Sequence, residues 1–565
     1  MKYAVEYALN APMGGVKLNG GRLGRAFDNN VNFLKGFDTD RMLYWYRVHQ
    51  DKPAPGVPYA ADAGHFENNL KGQTAGEFMM GAGCSLLWRE DAQLRDMIRT
   101  LLDEIEAGRE SDGFLLPITR DEFRTREYPN YTRAWLTFGL LDAGYAGEKK
   151  AFDLARGFGD FFNHCDVLPY VKDMNLGFQG ILANTRLYTS PVGVREDIDT
   201  ALKYYQEKWW LEQLIRDDHR AIYAHPGNHP HSTLLTTLEG YLDIYRATGE
   251  EIYIDAVRHA LNMYESKWQH VGGGINMCED DQYYPGCNWL SPSHNYNELC
   301  STNFWVLLNQ RMHRLYPDDA HYVDEMENSI YNVLLAAQVG DKGYHYLNFL
   351  ERTKDWRWLD RATCCAAMGT RLCALLPQFL YTYAGDTVYV DMYAASDAVL
   401  PLESGDVALH CETDMPDSGH VRITVTAAAA PFTLKLRHPR WSMPDGRSYY
   451  QTIEGARAGD VFEFDLPFTF RATRYTGGEE KPREQRWALE YGPLLYAAMG
   501  APNPVHVRWN PREPEKWFVP FDKGFRVVGD DAHEYWRYLD IEDEPFSVFA
   551  VVGESNFKIA RAIDS

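Results

Sequence analysis

The amino-acid sequence predicts an (α/α)6 barrel over residues 1–385, followed by an antiparallel β-sandwich over residues 386–565. Two observations lead to this prediction. The first two-thirds of the chain repeats a pair of amphipathic helices, and near residue 385 the apolar period changes from helical to alternating. A chain of 565 residues is also too long for one compact core, which indicates more than one domain.

Four segments of the N-terminal part share one pattern, in which an apolar helix, a short polar turn and a second amphipathic helix follow one another. These segments are residues 77–105, 140–162, 241–264 and 311–334. Because one helical hairpin cannot bury its apolar face alone, neighbouring hairpins must stack. The stack could be an open solenoid or a closed ring. The irregular period and the long aromatic-rich inserts favour a closed barrel with a pocket at one end.

The C-terminal part contains segments in which β-branched and aromatic residues alternate or form short runs, separated by Gly, Pro and Asp. They are residues 386–396, 405–414, 420–439, 460–475 and 486–499. This pattern is typical of strands joined by turns and predicts the β-sandwich. From residue 500 onward the pattern is irregular and gives no assignment.

Composition and charge exclude several classes of protein. Hydrophobic residues make up 45% of the chain and aromatic residues 14%, which is enough for large cores. The formal net charge of −23 argues against binding to nucleic acid or to anionic membranes. The sequence contains no run of about 18 uncharged apolar residues, so it predicts no membrane span, and the N-terminal residues show no secretory signal pattern. We therefore expect a cytoplasmic protein with no nucleic-acid or membrane partner.

The chain contains nine cysteines, an odd number that fits reduced thiols, metal ligands or nucleophiles better than a disulfide framework. Free cysteine is among the most buried residue types, so an isolated cysteine is expected to fill a helix or sheet contact. This interpretation applies to Cys84, Cys165, Cys373 and Cys411.

Two short stretches supply a set of metal-ligand candidates. "NELCS" contains Glu298 and Cys300, and "ATCC" contains Cys364 and Cys365. Three thiolates and one carboxylate would suit a tetrahedral Zn²⁺ ion. The alternative is that these cysteines are small buried residues in helix–helix contacts, because the spacing is not that of a standard zinc finger.

Both stretches look like the beginnings of helices. Thr363 could cap the second helix, and Asn295 or Asn297 could cap the first. Neighbouring side chains can converge at a helix entrance, where the backbone is not yet regular, although in mid-helix residues i and i+2 point apart. The positive end of the helix dipole also favours a thiolate over a thiol.

Several blocks of the sequence resemble one known family. "GGGINMCE", "NELCS", "YHYLNFLE" and "TCCAAMGTRL" occur in the order and approximate spacing of glycoside hydrolase family 127, the β-L-arabinofuranosidase family. "LKLRHPRWS", "AGDVFEFDLPFTFRATR" and "ALEYGPLLYAAM" resemble its β-sandwich blocks. The resemblance extends over about residues 60–497, and the pairing of Glu-x-Cys with Cys-Cys is its most specific element.

The resemblance implies a zinc-dependent retaining glycosidase with a cysteine nucleophile. In such an enzyme a metal-bound thiolate attacks the anomeric carbon, and a carboxylic acid protonates the leaving oxygen and later activates water. Carried onto this chain, Cys364 is the nucleophile and Glu279 the acid/base. Glu298, Cys300, Cys364 and Cys365 hold the zinc ion.

The position of the acid/base is the least specific part of this correspondence. Glu279 fits best, but its distance along the chain from Glu298 is slightly longer than in the family. Asp280 and Asp281 therefore stay open as alternatives. An acidic run of this kind is otherwise typical of a solvated surface.

The residues that contact the sugar correspond only in part. Tyr346 and His231 lie where the family uses Tyr and His to bind substrate, although a lone Tyr or His beside helices often has a structural role. Histidines that the family commonly carries are replaced by Gln73 and Glu77, and a further one falls near Trp135. The substrate is thus expected to be an L-arabinofuranoside or a related plant or microbial glycan sugar.

Two other classes of protein stay open at this stage. One is a carbohydrate-binding or scaffold protein with a purely structural zinc ion, because structural sites leave no open position. The other is a lyase or epimerase on the same barrel, with a Tyr or His base and an acidic sugar. Few Arg or Lys residues flank the motifs, which disfavours an anionic substrate. The partner we expect is a small oligosaccharide or glycoside, and a homodimer is left open.

Overall fold

The computed structural model describes most of the chain. The described residues are 3–60, 70–125, 128–165, 179–205, 209–218, 231–276, 296–354, 362–475, 486–500, 505–507, 509–528 and 530–552.

Helices dominate the first 375 residues of the described chain. The α-helices are α1 (Gly21–Lys35), α2 (Thr39–Met42), α3 (Tyr44–His49), α4 (Gln73–Leu86), α5 (Ala92–Ala107), α6 (Arg120–Thr125), α7 (Tyr128–Tyr145), α8 (Lys149–His164), α9 (Gln179–Tyr188), α10 (Arg195–Tyr205), α11 (Trp209–Ile215), α12 (His231–Thr248), α13 (Glu251–Met263), α14 (Leu299–Leu315), α15 (His321–Ser329), α16 (Leu335–Ala337) and α17 (Cys364–Ala374). The four predicted hairpins are confirmed as α4–α5, α7–α8, α12–α13 and α14–α15. No helix among the described residues is both long enough and apolar enough to cross a membrane.

Six of these helices form a closed inner ring. Helices α4, α7, α9, α12, α14 and α17 contact one another in that order, and α17 packs against α4 to close the ring. Helices α5, α8, α10, α13, α15 and α1 pack around the outside, each against an inner helix. The predicted (α/α)6 barrel is confirmed, and the open solenoid is excluded.

The tightest contact of the ring joins α4 and α7 through glycines. A Cβ atom on Gly139 would lie 2.2 Å from the carbonyl oxygen of Gly76, far inside the van der Waals distance. The two backbones therefore touch directly, and neither position can carry a side chain without movement of a helix.

Buried charged side chains meet inside the barrel near the C-terminal ends of the inner helices. They are Asp142, Arg186, Glu239, Asp243, Arg311 and Arg371. Asp142 of α7 accepts hydrogen bonds from Arg186 at 2.7 Å and from Arg371 of α17 at 3.1 Å. Arg311 of α14 pairs with Glu239 at 3.2 Å and with Asp243, both on α12. Asp142 thus links α7 to its neighbour α9 and to α17, on the other side of α4, and we call these six side chains the axial ion network.

Strands dominate the described chain after residue 380. The strands are β1 (Leu9–Asn10), β2 (Val16–Leu18), β3 (Tyr296–Glu298), β4 (Leu347–Phe349), β5 (Glu351–Arg352), β6 (Tyr381–Ala384), β7 (Thr387–Val390), β8 (Ser396–Leu402), β9 (Gly405–Thr413), β10 (His420–Ala428), β11 (Phe432–His438), β12 (Tyr449–Ala456), β13 (Val461–Asp465), β14 (Phe470–Tyr475), β15 (Arg486–Tyr491), β16 (Leu494–Met499), β17 (Val505–Val507), β18 (Phe518–Phe521), β19 (Gly524–Val527), β20 (Asp530–Arg537), β21 (Phe546–Ser547) and β22 (Phe549–Val552).

Two five-stranded sheets have the strand orders β1-β6-β7-β11-β12 and β13-β10-β9-β8-β2. Their pairing is antiparallel except for β7 with β11, and β8 alternates strictly between buried and exposed residues. Strands β1 and β2, from the start of the chain, pair with β6 and β8, so the N-terminal residues join sheets of the C-terminal part. The division of the chain at residue 385 stays a prediction.

A third sheet of ten strands contains most of the residues that the sequence left unassigned. Its main path is β17-β22-β15-β16-β20-β19-β18, with β14, β21 and β5 at its sides. The residues after 500 therefore add regular strands to the β-rich part of the protein.

The β-rich part is attached to the barrel through a buried ion cluster. Arg437 of β11 is fully buried and donates to Asp324 at 2.6 Å and to Glu327 at 2.5 Å, both on α15. Its Nε donates to the carbonyl oxygen of Asp391 at 2.5 Å. Removing one partner of such a buried cluster leaves an uncompensated charge, which fixes how β11 sits on the barrel.

Candidate active site

Three cysteines converge at the N-terminal ends of two neighbouring inner helices. Cys364 and Cys365 are the first two residues of α17, and Cys300 is the second residue of α14. Their sulfur atoms all lie within 4.8 Å of one another. The predicted convergence of the two stretches at helix starts is confirmed.

The local sequence explains the start of α17 but not that of α14. Thr363 caps α17, because its Oγ1 accepts a hydrogen bond from the Ala366 amide at 3.0 Å, as predicted. The prediction that Asn297 caps α14 is wrong, since its Oδ1 lies 2.7 Å from Nδ1 of His270 instead. Glu298 occupies the cap position of α14 without a capping side-chain bond, and Asn295 lies outside the described residues.

Glu298 lies beside the cysteine group. Its Oε1 is 3.9 Å from Sγ of Cys365, and its Oε2 accepts a hydrogen bond from the Ser301 hydroxyl. Burial, followed by the charge of Cys364, raises the pKa of Glu298 to about 8. The carboxyl group therefore lies against the cysteines, and its raised pKa favours the protonated form at neutral pH.

The three thiols differ in their ionisation. Hydrogen bonds from the Cys300 and Cys365 thiols hold the pKa of Cys364 well below its ordinary value. Burial raises the pKa values of Cys300 and Cys365 well above theirs. The Cys365 sulfur also accepts a hydrogen bond from the Cys300 amide at 3.3 Å. Cys364 is 9% exposed, against 2% for Cys300 and none for Cys365, so the favoured thiolate is also the most accessible one.

Two tyrosines flank Cys364. The Tyr346 hydroxyl, which the sequence singled out, lies 3.4 Å from its sulfur. The Tyr131 hydroxyl, from the first turns of α7, also forms a hydrogen bond that lowers the pKa of Cys364. Sequence reasoning missed Tyr131, because nothing in "NYTRAW" distinguishes it from other tyrosines of the chain.

The residues that replace the family's histidines lie at the same end of the barrel. Gln73 and Glu77 are buried in the first two turns of α4, where Nε2 of Gln73 donates to Oε1 of Glu77 at 2.5 Å. The charge of Glu77 contributes to a raised pKa of Tyr131, which places these side chains near each other. The Trp135 ring packs edge-on against Tyr131 at 5.7 Å between centroids. These residues form the side of the site next to α4 and α7.

His231 is the first residue of α12 and is fully buried. Its Nδ1 lies 3.0 Å from the hydroxyl of Tyr264, and its ring packs against Trp268. The roles of His231 and Tyr346 in sugar binding stay predictions. Glu279, Asp280 and Asp281, the candidates for the acid/base, lie outside the described residues.

The donor set fits a zinc ion. Zinc–sulfur bonds of about 2.3 Å at tetrahedral angles place sulfur ligands roughly 3.8 Å apart, and the three sulfurs here already lie within 4.8 Å of one another. Soft thiolates are preferred ligands of zinc, and a nearby carboxylate can supply the fourth position. The structure thus offers a group of three cysteines that could bind a metal ion.

The helical barrel and the strands that follow it both match the models of one enzyme family. Residues 15–378 match the family described as β-L-arabinofuranosidase, GH127 catalytic domain, and residues 387–463 match the GH127 middle domain. The first match alone covers more than half of the chain. The protein is a glycosidase and belongs to glycoside hydrolase family 127, as the sequence blocks indicated.

Solved structures show the same fold at low sequence identity. A GH127 β-arabinofuranosidase superposes with a TM-score of 0.73 at 19% identity, covering 97% of this chain and 99% of its own. The GH127 β-L-arabinofuranosidase from Geobacillus stearothermophilus T6 gives a TM-score of 0.68 at 15% identity, covering 95% of this chain and 100% of its own. A search of curated protein sequences finds no match.

Proposed function

We propose that the protein is a zinc-dependent retaining glycosidase with Cys364 as its nucleophile and Glu279 as its acid/base. The observation that carries this proposal is that the three cysteines differ in thiol pKa and in exposure. Cys364 combines a lowered pKa with the largest exposure of the group, whereas Cys300 and Cys365 are buried ligand candidates. A purely structural metal site would not need one thiol to differ from the others in this way.

The metal ligands in this proposal are Glu298, Cys300, Cys364 and Cys365. When bound, a zinc ion keeps thiols deprotonated at neutral pH and holds their orientation. Tyr346 and Tyr131 direct their hydroxyl groups at the Cys364 sulfur and can donate hydrogen bonds to its negative charge. Together these contacts stabilise Cys364 as the thiolate of the group.

The reaction proceeds by double displacement. The Cys364 sulfur forms a bond to the anomeric carbon while the glycosidic C–O bond breaks, and Glu279 gives its proton to the leaving oxygen. Glu279 then takes a proton from water, the resulting hydroxide attacks the same carbon, and the C–S bond breaks to restore the thiolate. Two inversions leave the product with the configuration of the substrate.

The substrate is proposed to be an L-arabinofuranoside or a related glycan sugar. Family membership supports a glycosidase of this kind, but Gln73 and Glu77 give the α4 side of the site a carboxamide–carboxyl pair. Such a pair can accept and donate hydrogen bonds with sugar hydroxyls, so the hydroxyl pattern of the preferred sugar follows from these residues. Hydrolysis of a panel of aryl furanosides and pyranosides, compared by kcat/KM, identifies it.

The metal and the nucleophile are tested separately. Cys300→Ser and Cys365→Ser are expected to lower the zinc content measured by elemental analysis, whereas Cys411→Ser in β9 serves as the matched control and keeps it. Cys364→Ser is expected to lose nearly all turnover, because an alcohol is a far weaker nucleophile than a thiolate at neutral pH. Full zinc retention in both ligand variants would contradict the ligand set. Initial product of inverted configuration, read by NMR, would contradict double displacement.

The acid/base is tested by the leaving group. Glu279→Gln is expected to slow substrates with poor leaving groups by about 10²–10⁴-fold more than activated aryl glycosides, because only the former need protonation. Asp280→Asn and Asp281→Asn are the matched controls. Equal losses on both kinds of substrate would assign Glu279 to binding or folding, and a selective loss in a control would move the role to that aspartate.

A further inference from the structure

A second polar cleft lies where the barrel meets the β-rich part of the protein. It has a volume of about 280 Å³ and is lined from the barrel side by Glu265 and Asp324 and from the sheets by Arg440, Arg471 and Glu490. None of its lining residues belongs to the cysteine group or to its flanking tyrosines. The cleft is therefore distinct from the group of side chains around the proposed nucleophile.

One buried carboxylate oxygen in this cleft has an unfilled hydrogen-bonding position. Asp324 is 3% exposed, and its Oδ1 accepts from Arg437 at 2.6 Å and from the Arg440 amide at 3.3 Å. Its Oδ2 has no hydrogen-bond partner within the part of the chain that the structure describes. A buried oxygen of this kind is costly unless a donor meets it. Because this oxygen is closed to solvent, a donor in the cleft meets it once the Asp324 side chain turns toward the cleft.

The opposite side of the cleft supplies donors. Arg471 Nη2 pairs with Glu490 at 3.2 Å, and the Thr473 hydroxyl donates to the same carboxylate at 3.1 Å. The side chains of Arg471 and Arg440 each stay 34% exposed, so parts of both guanidinium groups can reach a ligand. Thr473 and part of Arg471 already donate to Glu490, so the donors open to a ligand are the exposed parts of the two guanidinium groups, and carboxylate acceptors lie on both sides of the cleft.

The charges of the cleft select a neutral ligand. Arg440 forms an ion pair with Glu325, and Arg471 forms one with Glu490. Glu265 pairs with His321, and this pairing raises the pKa of His321 to about 9. An anion would meet these carboxylates, and a cation would meet the two guanidinium groups. The adjacent hydroxyl groups of a sugar both donate and accept hydrogen bonds, so they match a cleft in which carboxylates and guanidinium groups alternate. The volume lies near the lower end of the range of about 300–1,000 Å³ for small-ligand pockets, which limits the ligand to about one ring.

We propose that this cleft is a second carbohydrate-binding site that takes one neutral monosaccharide ring. Asp324 turns its Oδ2 toward the cleft and accepts a hydrogen bond from one hydroxyl group, and the Arg471–Glu490 pair with Thr473 anchors a neighbouring one. The ring sits between α15 of the barrel and strands β14 and β15. Binding needs no covalent step and no metal ion.

The test counts bound sugars. Equilibrium dialysis with labelled L-arabinose and D-galactose as neutral probes, and D-galacturonate as the anionic probe, is carried out on the wild-type chain and on the double variant Arg471→Met/Thr473→Val. Arg526→Met, which removes an exposed arginine elsewhere in the same sheet, is the matched control. With at least one neutral sugar, the double variant is expected to bind one equivalent fewer than the wild type and the control, while kcat and KM on an aryl glycoside stay unchanged.

Several outcomes would overturn the proposal. Equal numbers of bound neutral sugars in all three proteins would do so, as would binding of D-galacturonate in the cleft as tight as that of the neutral sugars. If the double variant does not fold, wild-type crystals soaked in L-arabinose or D-galactose decide, because only water against Asp324 would refute the site. Cys364→Ser is expected to lose turnover and still bind one equivalent of sugar in the cleft. Failure of the proposed catalytic mechanism and failure of this site are therefore distinguished.

Discussion

Binding of zinc to the cysteine group is expected to release protons, and their number should depend on whether Glu298 is protonated before the metal binds. In the metal-free protein burial raises the pKa of Glu298 to about 8, and it raises the pKa values of Cys300 and Cys365 well above their ordinary values. Metal ligands must be deprotonated, so each protonated ligand gives up its proton on binding. Cys364, whose pKa is lowered, contributes little.

The expected numbers follow from these pKa values. With a pKa of about 8, Glu298 is protonated in about nine of ten molecules at pH 7 and in about one of ten at pH 9. Two thiols and one carboxyl group then release about three protons per zinc ion at pH 7 and about two at pH 9. The apparent association constant should rise by about three decades per pH unit below pH 7 and by about two above pH 9, each decade being about 1.4 kcal/mol.

Calorimetric titration of the metal-free protein with Zn²⁺, in two buffers of different protonation enthalpy at each pH, measures the proton release directly. Glu298→Gln is the matched control, because the amide has no proton to lose and should give about two protons at both pH values. Equal release at pH 7 and pH 9 in the wild type would refute the reasoning. So would a Glu298→Gln variant that still releases the third proton at pH 7.

Three further predictions concern stability. Gly139→Ala drives a methyl group into the Gly76 carbonyl and should destabilise the barrel by about 1–3 kcal/mol or more, read as a lower melting temperature than that of a Gly157→Ala control in α8, where the added Cβ would lie 4.0 Å from the Gly113 Cα; an unchanged melting temperature would contradict the close approach. Arg437→Met leaves the Asp324 and Glu327 carboxylates buried without their cation, so it should lower the free energy of unfolding, measured in urea, by about 3–5 kcal/mol. An unchanged free energy of unfolding would contradict this cost. Burial lowers the pKa of Lys354 from 10.5 to about 7, so between these pH values Lys354 is neutral in the folded protein and takes up a proton on unfolding. The unfolding free energy of the wild type should rise with pH between 7 and 10.5, by up to about 1.4 kcal/mol per unit relative to Lys354→Met, and parallel pH profiles would refute the shift.

Local patterns predicted much of this fold because they depend on residues close together in the chain. The helical hairpins follow from apolar periodicity, and the Thr363 cap needs only an amide three residues further on. The convergence of Cys300 with Cys364 could be predicted because two helix starts in one closed ring face the same end. The family blocks supported the same assignment.

The features that the sequence did not reveal depend on distant contacts. Asn297 has the side chain of a helix cap, but His270, 27 residues earlier, takes its amide oxygen. Tyr131 reaches Cys364 across the ring of helices, and no local signal marks it. The strands after residue 500 become regular only by pairing with distant partners, as β22 does with β15. Such contacts are set by the tertiary structure, and a single sequence does not show them.

The axial ion network has a consequence for how a glycan can be handled. It lies towards the C-terminal ends of the inner helices, away from the cysteines, where it links α7 with α9 and α17 and links α12 with α14 across the described residues. Because charged side chains occupy this end of the interior, the cysteine end is the side from which a glycan would enter, and under the proposed mechanism a terminal sugar would reach Cys364. The freed sugar would then leave by the same end, so high product concentrations should compete directly with substrate.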